Sequence, residues 1–201
     1  MRWILITLLG ASSAIADPIA VHSTARDIFG RLPDIEMTQD MRDVCGSGRS
    51  TNPNIGYCTT ENVIYFSPNF TTRPSAGYEM AHVLGHAVQV RYGVADIAFR
   101  AIQSRPQEEA ALRGMVTRQV ECIAGVLTAR ADVPSRDLLS LFSTEPFTDA
   151  HWGRRPLNAG PKVSIGLDAR AEWYQIGFEA ADFTACSVGE MSADLFVQAA
   201  R

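Results

Sequence analysis

The sequence has no block of lysine and arginine, and it has no long apolar segment after its first residues. Its formal net charge is −4 and its pI is about 5.5. Because nucleic acid is bound by clustered positive charge, we expect no nucleic-acid partner. No internal segment approaches the roughly 20 apolar residues that a membrane-spanning helix needs. We therefore expect no stable membrane span in the mature chain.

The first residues combine one positive charge, a short apolar run and several small residues. Arg2 precedes the apolar run 3–9, and Ala14-x-Ala16 stands before Asp17. These parts are typical of a secretory signal peptide, so we predict residues 1–16 to be a signal peptide cleaved after Ala16. The alternative is an uncleaved anchor helix, for which the run is too short. Residues 17–201 are then expected to form one periplasmic or secreted domain.

Cysteine is scarce, with only four residues in the chain: Cys45, Cys58, Cys122 and Cys186. An even number of cysteines in an exported chain predicts two disulfides. Three connectivities are possible and the sequence does not separate them. Proximity along the chain favours Cys45 with Cys58 and Cys122 with Cys186. A cysteine nucleophile is a poorer alternative in an oxidising compartment.

Apolar spacing and turn residues predict a mostly helical chain with a small β component. The predicted strands are 32–38 and 62–66, with a loop over 45–58 between them. The predicted helices are 23–29, 76–91, a long helix from a Ser104-x-x-Gln107 capping box to about residue 130, 134–142 and 168–181. Residues 143–166 hold several prolines and glycines and are predicted to be a loop.

Two of the four histidines, His82 and His86, are four residues apart in the predicted helix 76–91. Four steps of a helix return to nearly the same face, so both imidazoles can converge on one ion. For such a pair without further evidence, we favour two hydrogen-bonded structural histidines.

The residues around this pair change that interpretation. The segment AHVLGHAVQ (81–89) is similar to the AHEVGHxVQ segment of the bacterial neutral zinc metallopeptidase family. Four further segments resemble the same family in the same order: GYCTTENVIY (56–65), RQVECIAGV (118–126), RAEWYQIGF (170–178) and ADFTAC (181–186). The resemblance implies an α+β fold, a mostly helical minimal zinc-peptidase-like domain with a small β hairpin or sheet.

The resemblance also implies a site in which essential residues are missing. The zinc histidines of the family match His82 and His86, while its general-base glutamate matches Val83. Its third ligand, also a glutamate, matches Thr117, and the aspartate that follows in the motif matches Glu121. Two of the three essential carboxylates are therefore absent.

A catalytic zinc needs three protein ligands, and a carboxylate must take the proton from its water. We therefore expect zinc binding to be weak or absent. Glu79, one turn before His82, is a possible surrogate base or ligand, and Glu121 a possible third ligand. The alternatives are a partly solvated carboxylate at the helix start for Glu79, and for Glu121 an acceptor of a histidine hydrogen bond.

Three functional hypotheses follow from these residues. The first is a pseudopeptidase that keeps the fold and binds a peptide or protein ligand. The second is an active zinc metallopeptidase with an altered site that uses Glu79 or Glu121. The third is a metal-binding protein that uses His82, His86 and one carboxylate.

Overall fold

The computed structural model describes residues 17–42, 44–46, 52–148 and 162–200. The predicted signal peptide lies outside the described residues. Within the described part the chain is mainly helical with one small sheet, so the predicted α+β, mostly helical fold is confirmed. The helices are α1 Pro18–Phe29, α2 Ala76–Arg91, α3 Val94–Ser104, α4 Glu109–Arg130, α5 Leu138–Leu141, α6 Leu167–Ala180 and α7 Asp194–Ala199.

The sheet has three short strands, β1 Asp34–Met37, β2 Ile55–Cys58 and β3 Val63–Phe66, in the order β1-β3-β2. β1 runs parallel to β3, and β2 runs antiparallel to it. The two predicted strands are present but shorter. The prediction of an unbroken loop over 45–58 is wrong, because its last four residues form β2. The turn between β2 and β3 contains Asn62 in a left-handed conformation (φ 56°) and lets β2 and β3 pair.

Helix α2 has the predicted bounds and is buried on nearly all sides. Every residue from Ala76 to Gln89 is buried. A helix buried all round belongs to the interior of a domain, and α2 contacts α1, α3, α4 and β2. Its backbone approaches α4 at Gly85, where an added Cβ would lie 3.0 Å from the Val120 carbonyl oxygen. The two histidines therefore lie on the helix around which the domain is built.

Helices α4 and α6 touch backbone to backbone. A Cβ at Gly125 of α4 would lie 2.0 Å from the Tyr174 carbonyl oxygen, and one at Gly177 of α6 would lie 1.9 Å from that of Cys122. Only glycine permits this approach at both positions. The contact fixes α6 against α4, and α6 carries Arg170 into the interior.

Helix ends differ from several predictions for local reasons. The predicted helix start at Ser104 is wrong: Ser104 ends α3, and its hydroxyl donates to the Ala101 carbonyl at 2.9 Å. A 3-10 turn, Pro106–Glu108, then leads into α4. The predicted helix 134–142 is shorter, because Asp137 accepts from Leu139 N at 3.0 Å and caps α5 there.

Helix α1 begins earlier than the predicted helix 23–29. Asp17 accepts hydrogen bonds from the Ile19 and Ala20 amides at 2.9 and 3.2 Å, and Pro18 occupies the first turn. This combination of an acidic cap and an early proline fixes a helix start.

Both disulfides that proximity favoured are present, Cys45–Cys58 and Cys122–Cys186, so this prediction is confirmed. The second bond ties α4 to the 3-10 turn Phe183–Cys186 that follows α6. Two disulfides indicate a protein that folds outside the cytoplasm. In the described part of the chain, no helix combines the length and apolar character that crossing a bilayer requires.

Candidate functional site

The two histidines lie side by side on successive turns of α2. His82 is 1 % exposed and His86 is 9 % exposed. Their ring centroids are 5.0 Å apart and the rings meet edge to face at 82°. The four-residue spacing thus brings both imidazoles to one face, as the sequence predicts for helical neighbours.

Glu121 of α4 meets His82 from the opposite helix and is fully buried. Its Oε1 lies 3.1 Å from His82 Nδ1 and also accepts from Arg170 Nη1. Its Oε2 accepts from the Tyr78 hydroxyl at 3.0 Å. Burial alone would raise the pKa of Glu121, but His82 and Arg170 outweigh it and lower that pKa. Glu121 is therefore an ionised carboxylate with both oxygens engaged.

Arg170 of α6 supplies the buried cation of this site. Its side chain is 0 % exposed, and its Nε donates to Glu145 Oε1 at 2.7 Å. One guanidinium is thus shared between two carboxylates, which is how a protein interior tolerates such a charge. Burial and the nearby Glu121 also hold the pKa of Tyr78 well above its ordinary value. Tyr78 is therefore a neutral donor at physiological pH.

Glu145 holds the segment 143–148 against the start of α6. Its carboxylate accepts from the Ile165 and Gly166 amides at 2.9 and 3.1 Å, and from the Ser164 hydroxyl. Burial would raise its pKa, but these hydrogen bonds and Arg170 lower it. The segment 143–148 is thereby fixed across the face of α2 that carries His82.

Phe147 of this segment lies flat on the His82 ring. The two ring centroids are 4.1 Å apart and the planes differ by 7°. The Phe147 backbone has φ 56°, in the left-handed region, and its carbonyl accepts from Arg170 Nη2 at 3.3 Å. Phe147 therefore covers one face of the buried imidazole.

The two nitrogens of the His82 ring differ in their surroundings. Nδ1 lies 3.1 Å from Glu121 Oε1, whereas Nε2 has no hydrogen-bond partner in the described part of the chain. Buried polar groups without partners are rare in native proteins. His82 Nε2 is therefore a buried polar atom whose partner the described residues do not supply.

The remaining predicted site residues are engaged elsewhere. Glu79 is 2 % exposed and accepts from Ser75 Oγ and from Arg73 at 3.3 Å. Val83, at the general-base position, is 5 % exposed in the apolar core. The Thr117 hydroxyl donates back to the Arg113 carbonyl at 3.0 Å.

These contacts test whether the site suits a catalytic zinc ion. The Glu121 carboxylate already contacts Arg170, Tyr78 and His82. The Thr117 hydroxyl is neutral and donates to the Arg113 carbonyl. Among the described residues, no three or more His, Cys, Asp or Glu side chains are placed to hold a metal. His82 and His86 alone are one ligand too few for a catalytic zinc. The donor set that the described residues offer therefore does not fit that ion.

Sequence reasoning missed four residues of this cluster: Tyr78, Glu145, Phe147 and Arg170. Arg170 stood in a segment similar to the metallopeptidase family, but nothing in its spacing assigned it a role. Glu145 and Phe147 fell in a predicted loop. Contacts such as the hydrogen bond between Glu145 and Arg170 join residues that are 25 apart in the sequence, and no periodic pattern in the sequence marks them.

Comparisons with protein-family models, curated proteins and solved structures give no match to this chain. The resemblance to the neutral zinc metallopeptidases therefore stays a prediction carried by the motifs quoted above.

Proposed function

We propose that this chain is an exported, metallopeptidase-like domain without peptidase activity that binds a peptide or protein ligand. The observation that carries the proposal is the engagement of Glu121 by Arg170, Tyr78 and His82. A carboxylate so occupied is not free to ligate a metal, and the described residues contain no group of three or more His, Cys, Asp or Glu side chains that could hold one. The same interactions hold α2, α4 and α6 together.

The positions of Val83 and Glu79 support the loss of catalysis. Val83 offers no lone pair to accept a proton from an attacking water, a role worth about 10²- to 10⁴-fold in rate. Glu79 is the nearest carboxylate along α2, but Ser75 and Arg73 hold it. Peptide or protein binding is therefore the role that we propose for this domain.

A metal-binding role is the second candidate, and one observation favours it. The Nε2 atom of His82 lacks a hydrogen-bond partner within the residues described. A metal held by His82 and His86 would satisfy it, although two ligands hold zinc weakly.

Metal content and peptide cleavage, measured on the purified mature protein, separate these hypotheses. We expect no stoichiometric metal and no cleavage of unstructured peptides, together with saturable binding of some labelled peptides by fluorescence anisotropy. Metal with cleavage would support an altered peptidase, and metal alone would support the second candidate. The matched control is His86→Ala: cleavage that survives this change comes from a contaminating protease.

A further inference from the structure

We propose that an aromatic side chain of a bound peptide packs flat on the His82 ring, in the place that Phe147 occupies in this structure. We call this place the seat. The inference rests on the proposed peptide-binding function and adds the location and the chemistry of the contact. It begins from the flat stacking of the two rings, 4.1 Å apart and 7° from parallel. Other aromatic rings surround the seat. The Tyr78 ring centroid lies 6.3 Å from that of Phe147 and 5.5 Å from that of Phe142.

The buried His82 ring is the observation that points to a ligand. It is 1 % exposed; its Nδ1 lies 3.1 Å from Glu121, and its Nε2 lacks a hydrogen-bond partner in the described region. A buried polar group without a partner is unfavourable, and a ligand that reaches Nε2 would remove that cost. An extended peptide brings both an aromatic ring for the flat face and backbone groups for a ring nitrogen.

Hydrogen bonds of the neighbouring residues keep Phe147 in place, while its own backbone conformation is unfavourable. Its φ of 56° lies in the left-handed region, which is unfavourable for a residue other than glycine. The Arg170 contact to its carbonyl is long, at 3.3 Å. Stronger anchors lie on both sides of Phe147: Glu145 bonds Arg170 and the start of α6, and the Thr148 carbonyl accepts from Val163 N at 2.9 Å. The Phe147 ring can therefore leave His82 by side-chain rotation while these anchors stay in place.

The test removes the Phe147 ring and asks what replaces it. In Phe147→Ala, the His82 ring resonances should lose the upfield ring-current shift that the stacked phenyl produces, as seen by histidine-selective NMR. N-acetyl-L-phenylalaninamide should restore that shift saturably, while N-acetyl-L-leucinamide should not. Wild type should bind the aromatic probe at least about tenfold more weakly, because the probe must first displace Phe147.

Two further variants keep the test interpretable. Phe147→Gly removes the same ring at a position whose left-handed backbone suits glycine, so it serves if the alanine variant folds poorly. Phe66→Ala, in β3, removes a partly buried ring that packs on Phe70, and it should leave His82 and probe binding as in wild type.

The outcomes separate this inference from the proposed function. If folded Phe147 variants leave the His82 resonances unchanged, or bind both probes equally, the seat does not exist. Labelled peptides that bind wild type and the Phe147 variants alike would also overturn the inference, while the proposed function would stand. An aromatic probe that fills the seat when no peptide binds would support the seat and overturn the proposed function.

Discussion

The contact between α4 and α6 makes a quantitative prediction about Gly125 and Gly177. An alanine Cβ at Gly177 would lie 1.9 Å from the Cys122 carbonyl oxygen, and one at Gly125 would lie 2.0 Å from that of Tyr174. Ordinary carbon–oxygen contacts begin at about 3.3 Å, so the two backbones would have to separate by more than about 1 Å. Neither atom is at the end of a flexible side chain, so no rotamer change relieves the clash.

We expect each substitution to lower the free energy of unfolding by about 3 kcal/mol or more, at the upper end of overpacking costs. The higher helix propensity of alanine, about 1 kcal/mol, offsets only part of the clash. For a domain of this size the change corresponds to a fall in Tm of roughly 6–12 °C. Thermal and urea unfolding, followed by circular dichroism with the disulfides intact, measures it.

The matched control is Gly114→Ala, the same change on the same helix α4. Its Cβ would lie 3.1 Å from Arg118 Nη1, the movable end of a long side chain, and 3.6 Å from Ile165. We expect this variant to be as stable as wild type or more stable by up to about 1 kcal/mol. Gly125→Ala and Gly177→Ala variants with wild-type stability would refute the close approach of the two helices.

Three other changes test the disulfides and the buried charges. The protein should show no free thiol when it is denatured without reductant, and Cys122→Ser should cost about 2–5 kcal/mol of stability; a thiol titrating in the oxidised protein would contradict the pairing. The folded pKa of Glu145 is lowered from its ordinary value of 4.5, so its stabilising contribution is complete above about pH 4.5 and is lost as the pH falls through the folded pKa. Glu145→Gln should therefore flatten the acid limb of a stability-against-pH curve, and an unchanged limb would show that Glu145 is not so held. Glu121→Gln should cost about 3–5 kcal/mol in urea unfolding, because it removes one of the two carboxylates of the buried Arg170. A stability equal to wild type would mean that this network is not formed.

The sequence predicts best the elements for which the apolar pattern and the boundary residues indicate the same helix. Helix α2 has an apolar run ended near Gly93, and α6 begins within one residue of its predicted start. Local patterns misled the prediction at Ser104, where Ser-x-x-Gln resembles a capping box. That serine instead closes α3, since its hydroxyl turns back to Ala101. β2 was missed because four residues after a glycine-rich segment carry too little alternation to mark a strand.

The candidate site was predictable only as far as one helix carries it. The spacing of His82 and His86 places both rings together without knowledge of the fold. The rest of the buried network comes from three other elements: Glu121 from α4, Arg170 from α6 and Phe147 from the segment between them. Their meeting depends on helix packing at Gly125 and Gly177, which acts over long separations and is not encoded in any local pattern.

A zinc titration by isothermal calorimetry checks our proposal that the histidine pair is not a catalytic zinc site. Thr117 lies one turn before Glu121 on α4, so Thr117→Glu should add the missing carboxylate beside the pair. We predict no tight stoichiometric zinc binding by wild type, a gain in affinity of at least about tenfold in Thr117→Glu, and loss of that gain when His86→Ala is added. Wild-type protein that binds one equivalent of zinc tightly through His82 and His86, with no gain from Thr117→Glu, would contradict this proposal.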